Sequence, residues 1–337
     1  MRSPHFFDAH LDLAYLAEMG RDMLADPPDD AEHPAALTLK SLTQSHIQRA
    51  VATVFVQPRG PDDSGFMVDG PWCYSSPDEA YQSSLRQINR YHQWHSAGLV
   101  NLAALAERHC PPRLELLLLL EGAAGIRTLD DLTEFHSRGI AILGLTWVNA
   151  TRWAGGDQSG GDVTADGRRL LEHADNLAMV HDVSHLSEQA FWSVLAHARR
   201  PKIASHSNCR RLLPGKKHPE RHLSDQQILA LANADGVIGI NLFSKFLVST
   251  GSAVITDAVK HIQHMVQLTG RTDIVGLGSD MDGGFSALDL PAGIRRPADL
   301  VKLCDALAAA NFTDGQIEQF AWRNWNQFFT RAGLLAR

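Results

Sequence analysis

The chain has 337 residues, 44% of them hydrophobic, and a formal net charge of −7. Acidic and basic residues are interspersed, which leaves neither the basic stripe that a nucleic-acid partner needs nor the polybasic run that a membrane surface attracts. The longest apolar run, residues 114–120, is far short of the ~20 residues of a transmembrane helix, and no signal-peptide core precedes the first motif. Four dispersed cysteines (Cys73, Cys110, Cys209, Cys304) lack a CxxC pair and read as free thiols of a reducing compartment, so a cytoplasmic protein is expected.

In chain order, eight short apolar runs read as buried strands: 5–13, 51–57, 114–121, 140–147, 178–185, 202–206, 236–242 and 274–280. Helical patterns fill the gaps. One spans 77–97, with Pro77 at a tolerated first-turn position; Thr128 opens 129–138 and Gly139 closes it. Others cover 165–176, 187–199 behind a Ser187 cap, 225–234 behind a Ser224/Gln227 capping box, 254–269 and 298–310. A last one follows Thr313 and Gln316. Strands alternating with helices predict a parallel sheet, and eight such units predict one α/β domain over 1–337, a (β/α)8 TIM barrel. A doubly wound sheet is the alternative, but it does not gather side chains from so many strand ends at one point. Residues 58–77 are too long for an ordinary connection and read as a lid or dimer-contact loop at the catalytic rim.

The chemistry-bearing residues end these runs. His10 and Asp12 stand two apart on the first strand, a spacing that puts both on one face. Glu121 ends the most apolar run, LELLLLLEGA, where a carboxylate is costly without a metal or hydrogen bonds; its two oxygens suit it to bridging two cations. His185 and His206 end the fifth and sixth strands as neutral imidazole ligands, with Asp182 and Ser205 nearby to fix ring orientation. These five form a ligand set for two divalent metals. Asp280, in GLGSDMDGG, is a general-base candidate beside a metal-bridging hydroxide, with Asp282 as the competing choice. Most of the seventeen histidines, among them His46, His92, His95, His197, His261 and His264, read as surface or helix residues. No GxSxG elbow, P-loop or strand-following GxGxxG supports other hydrolase or nucleotide chemistry.

In order, DAHLDL, EG, DVSHLS, IASHSN, RHLSDQQI, GVIGIN, GLGSDMDGG and NWNQFF resemble the renal (membrane) dipeptidases, peptidase family M19, over nearly the whole chain. The resemblance implies a zinc-dependent amidohydrolase-type barrel that cleaves dipeptides and forms homodimers. It implies that His10 and Asp12 hold the first zinc, Glu121 bridges, and His185 and His206 hold the second. It makes Asp280 the catalytic acid and Arg221 the receptor for the substrate's terminal carboxylate, a role that a planar guanidinium fits. One departure stands out. Members carry a His in an LTH motif near the substrate carbonyl, and this chain has LTW, with Trp147 in that place. Trp147, Asn149 or Arg152 would then supply the missing donor, or polarisation by the metal suffices, or the substrate differs. The related alternatives are N-acyl amino acids, D-residue peptides and lactams. A catalytically silent binding protein on the same fold is the third reading.

Overall fold

The computed structural model describes residues 5–61, 67–105, 109 and 114–336. Its centre is a ring of eight parallel strands: β1 Phe6–Leu11, β2 Ile47–Phe55, β3 Glu115–Glu121, β4 Ile140–Gly144, β5 Val180–Asp182, β6 Lys202–Ile203, β7 Ile238–Ile240 and β8 Val275–Leu277. Strands adjacent in sequence pair from β1 to β6 and from β7 to β8, and β8 pairs back onto β1 through Asp8 and Leu277. The gap between β6 and β7 is bridged at Ala204 and Ile238, where Gly239 N donates to the Ala204 carbonyl (2.8 Å). The expected (β/α)8 barrel is therefore the fold. A short strand, Asn101–Leu102, extends the sheet beside β3.

Helices follow each strand: α1 Leu13–Glu18 and α2 Leu39–Thr43, α3 Pro77–Ser96, α4 Leu129–Ser137, α5 Ala165–Asn176, α6 Glu188–His197, α7 Asp225–Asn233, α8 Ile255–Thr269 and α9 Val301–Ala309. The chain continues through α10 Asp314–Glu318, a π-helical turn and α11 Asn324–Arg331. The local signals act as read. Ser76 and Ser187 accept from Glu79 N and Ala190 N, and Ser224/Gln227 and Thr313/Gln316 form reciprocal capping boxes. Two of the histidines read as surface or helix residues, His95 and His261, are helix residues that are buried. His261 accepts from Cys209 N (3.0 Å) and donates to the Leu247 carbonyl (3.1 Å), while His95 bonds the Val100 carbonyl (3.3 Å). Both ring nitrogens of His261 are thereby satisfied, whereas His95 Nε2 has no hydrogen-bond partner among the described residues.

Packing divides the molecule into levels. Phe7, Val51, Leu119, Ile142, Val180 and Ile203 fill the lower barrel together with Trp325, Phe328 and Phe329 of α11. Phe7 stacks on Phe329 (5.4 Å between ring centres), and Trp325 Nε1 donates to the Leu277 carbonyl (2.8 Å). Helix α11 thus plugs the end at which the strands begin. The outward strand faces pack on the helical ring in a second, larger core. What remains is the end at which the strands finish, where a barrel carries its chemistry. The 58–77 segment lies after β2 on that side. Residues 62–66 are outside the described part; their flanks pair as Gln57–Pro58 with Cys73–Tyr74 and Gly60–Pro61 with Met67–Val68.

Below the site, Asp175 ties α5 to the β5–β6 connection. Its carboxylate accepts from Arg199 N, Arg200 N and His181 Nε2, each at 2.9 Å. Burial alone would raise its pKa, but these donors outweigh it and lower it from 3.8 to about 2. Asp175→Ala should destabilise the protein by about 1–3 kcal/mol, read from urea unfolding at neutral pH. Because the folded value is the lower one, the carboxylate's contribution is present above about pH 4 and disappears as pH falls toward about 2, so wild type and variant should converge there. An unchanged difference across that range would remove Asp175 as the source.

Candidate metal centre

At the upper rim three histidines and three carboxylates converge, all buried: His10, Asp12, Glu121, His185, His206 and Asp280. They arrive from different strands, and most stand just past them rather than on them. Register between β1 and β2 shifts between Asp8 and Leu11, and Asp12 is the residue that caps α1. His185 (φ +65°) and Asp280 (φ +59°) have left-handed backbone, uncommon for residues other than glycine. This explains why the strands are shorter than the apolar runs: the chain must leave the ladder to turn these side chains inward.

Glu121 is the hub. One oxygen lies 3.3 Å from His10 Nε2; the other lies 3.3 Å from His185 Nε2 and 3.6 Å from His206 Nε2. His185 Nε2 and His206 Nε2 face each other at 3.0 Å. Two groups of donors lie close enough to share an ion, His10–Glu121–His206 and His10–Asp12–Asp280.

The residues behind the histidines decide which nitrogen points inward. Ser205 Oγ donates to Asp182 Oδ2 (2.6 Å), since a carboxylate only accepts. Its lone pairs then receive His206 Nδ1–H (2.8 Å) and His10 Nδ1–H (3.1 Å). One hydroxyl therefore sets the tautomer of two rings. His185 Nδ1 donates to Asp157 Oδ2 (2.9 Å). All three Nε2 atoms then aim lone pairs at one small volume containing Glu121, an arrangement that repels itself unless a proton or a cation lies between. The donor set thus fits the expected divalent metals. Gly239 and Gly278 complete the support: a Cβ on either would lie 1.9 Å from the Ser205 carbonyl. Gly283 leaves similar room above, where a Cβ would meet Asp280 Oδ1 at 1.9 Å.

The charges of the cluster act strongly on one another. Burial works against a charge on His10, but Glu121, Asp12 and Asp280 raise its pKa to about 10. Burial likewise opposes a charge on Glu121, yet His10 and His185 hold it below the usual carboxylate range. Burial and the neighbouring Glu121 push Asp12 up to about 7. His206 falls well below its ordinary value through burial and the positive charge of His10 and Arg221.

The two aspartates of SDMDGG have different partners. Asp280 Oδ2 accepts from Asn241 Nδ2 (2.8 Å), and burial, aided by Glu121, raises its pKa to about 6. Asp282 turns away to accept from Ala36 N (2.8 Å), Leu37 N (2.8 Å) and Arg21, fastening the segment after α1. Arg221 is buried, stacked on Phe246 (5.0 Å) and bonded to Ser207 Oγ (3.4 Å), with Nε and Nη2 lacking hydrogen-bond partners. Trp147 is half-buried, edge-on to Phe55 (5.0 Å) and 6.1 Å from the His185 ring, whereas Asn149 is exposed. Arg152 is committed elsewhere, to Asp166 (3.0 Å) and the Arg127 carbonyl (3.0 Å). Sequence reasoning missed Asp157, Thr53, which donates to Asp12, and Asn241. Asn241 stood just after a strand, in GIN, but Thr53 lies within β2 and Asp157 in the loop after β4, and nothing about the residue types marked them.

This is the site of a metal-dependent hydrolase on a (β/α)8 barrel. The sequence pattern of the membrane dipeptidases, peptidase family M19, matches residues 1–337, and the chain belongs to that family of peptide-bond hydrolases. It is 34% identical over 248 residues to an uncharacterized protein from the pqqA 5′ region of Klebsiella pneumoniae, covering 68% of this chain and 88% of that one. An uncharacterized dipeptidase of Schizosaccharomyces pombe is 24% identical over 95% of this chain and 79% of its own. Among solved structures, dipeptidase AC of family M19 shares the fold with a TM-score of 0.82 at 24% identity, over 98% of this chain and 99% of its own. A Rhodobacter sphaeroides metallopeptidase, solved with a phosphinate mimic of L-Ala-D-Ala, also gives 0.82 at 23% identity, with the same coverage.

The Ser205 arrangement makes a specific demand. Ser205→Ala removes the acceptor that fixes both His10 and His206, and should weaken cation binding by about 10–100-fold in a chelator competition. Wild-type affinity in the variant would mean that packing alone orients the rings.

Proposed function

We propose that the protein is a zinc-dependent dipeptidase with two cations, its activity carried by residues 1–337 as one unit. His10 and Asp12 would hold the first cation, His185 and His206 the second, with Glu121 between them. The observation that carries this reading is the convergence of both histidine sets on the two oxygens of Glu121. When bound, the cations supply an acidified water and a positive charge for the substrate carbonyl oxygen. The chain's own residues do the rest. Asp280, steadied by Asn241, takes the proton of the attacking water and returns it to the leaving amine; a carboxyl with its pKa raised toward neutrality suits both transfers. The unpartnered N–H groups of Arg221 receive the terminal carboxylate. Trp147 offers one indole N–H beside the carbonyl in place of the family histidine, and Asn149 is the second substrate-binding candidate on the same loop.

A cytoplasmic location is supported by three buried free cysteines, Cys73, Cys209 and Cys304; Cys110 is outside the described residues. Among the described residues no helix is long and apolar enough to cross a membrane. A homodimer is the assembly that the family resemblance implies.

The test is hydrolysis of L,L and L,D dipeptides by zinc-loaded protein with a chelator-treated control. The R. sphaeroides ligand makes the L,D series worth including. Chelator-sensitive cleavage is expected, and Asp280→Asn should lower kcat by about 10²–10⁴-fold. Zinc-replete protein that cleaves no dipeptide would shift the reading to an N-acyl amino acid, a D-residue peptide or a lactam. Trp147→His separates two roles for the tryptophan. A gain on every dipeptide marks a weakened oxyanion site, and a changed order among them marks a retuned pocket.

A further inference from the structure

Asp157 is fully enclosed beside the metal centre and has no place in the motifs that define it. Its backbone is fastened to that of the ligand it serves: Asp157 N donates to the His185 carbonyl (2.8 Å), and Gly156 bridges to Leu186. The loop can take this path because Gly156 passes against the backbone of residues 147–149, where a Cβ would meet the Val148 carbonyl at 2.5 Å. The carboxylate is thereby fixed relative to the imidazole, and its Oδ2 accepts from His185 Nδ1. The same oxygen lies 3.9 Å from Nε of Arg221, too far for a hydrogen bond but close for two buried charges. Asp157 Oδ1 has no partner, nor do Arg221 Nε and Nη2. A single carboxylate oxygen thus stands between a ligand of the second cation and the guanidinium that awaits the substrate.

We propose that Asp157 is a positioning residue with two separable duties: it holds His185 with Nε2 toward the second cation, and its charge tempers the grip of Arg221 on a terminal carboxylate, so that the product amino acid leaves. The second duty rests on the dipeptidase reading above; the first does not. The two duties need different things from the side chain. Orienting His185 needs only an acceptor oxygen. Tempering Arg221 needs a negative charge, because a carboxylate arriving at Arg221 is repelled by one already beside it.

Asparagine separates them. In Asp157→Asn the amide oxygen must occupy the Oδ2 position, since the amide NH2 there would face two donors, His185 Nδ1–H and Arg221 Nε–H. The hydrogen bond to His185 survives and the charge does not. Asp157→Ala removes both. Cation affinity is measured by chelator competition with zinc, and KM and product inhibition with L-Ala-L-Ala, its carboxamide and alanine. The alanine variant should bind the second zinc about 10–100-fold more weakly, and the asparagine variant within about threefold of wild type. In the asparagine variant, KM for the free-acid dipeptide and the inhibition constant of alanine should each fall several-fold, up to about tenfold, while KM for the carboxamide stays put.

Wild-type zinc affinity in Asp157→Ala, or loss of zinc from both variants alike, overturns the first duty. A KM that rises in Asp157→Asn, or that moves equally for acid and carboxamide, overturns the second. If wild type cleaves no dipeptide, the functional reading fails, and the zinc measurements still decide what Asp157 does for His185.

Discussion

A carboxylate at the top of the most apolar strand in the chain is the constraint around which the rest of the structure is arranged. Glu121 ends a strand whose other residues are almost all leucine, and nothing in that strand can solvate its charge. Compensation has to come from elsewhere in the ring. His10, His185 and His206 supply it from β1 and from the segments after β5 and β6, and Asp12 and Asp280 crowd in beside them. The barrel allows this because every strand finishes at the same rim. The histidines offset Glu121, but Asp12 and Asp280 lie beside the same carboxylate and are repelled by it, an excess of negative charge that a divalent cation would offset.

The layer beneath explains why the arrangement holds still. Imidazoles have two nitrogens, and a metal site works only if the correct one faces inward. Ser205 settles that for two rings with one hydroxyl, provided that Asp182 takes its proton. The glycines of GVIGIN and GLGSD let the Ser205 backbone sit inside the ring, so these residues serve the site by having no side chain. Asp8, buried at β1, accepts from Ser279 N (2.8 Å) and from the Ser279 hydroxyl, anchoring the turn that carries Asp280.

Much of this was legible in the sequence. Each chemistry-bearing residue ended an apolar run, and apolar runs bounded by caps are strong signals, so the strands, most helices and the converging ligands could be read together. The less legible parts have physical reasons. His185 and Asp280 leave the strand ladder through left-handed backbone, which periodicity does not register. Asp157 reaches the site through a folded loop whose path depends on glycine clearance at Gly156, a tertiary fact. His261 sits on an amphipathic helix as a surface histidine would, and only the burial of its α8 face against the β6 and β7 connections distinguishes it. Asp280 was the preferred general-base candidate and Asp282 the competing choice. Their surroundings differ in a way spacing does not show: Asp282 accepts from the Ala36 and Leu37 amides and Arg21, and Asp280 from Asn241.

The pairing of β8 with β1, and the plug formed by α11, bear on how the protein comes into being. His10 belongs to the first strand and Asp280 to the turn after the last, and Trp325, packed in the lower barrel, bonds to β8. A ribosome delivers His10 some 270 residues before the aspartate that stands beside it (280 − 10 = 270). Without β8 the ring lacks the strand that closes it onto β1, and without α11 the lower barrel lacks Trp325, Phe328 and Phe329. The cluster is therefore a product of ring closure: His10 and Asp280 stand together only once β8 has paired with β1.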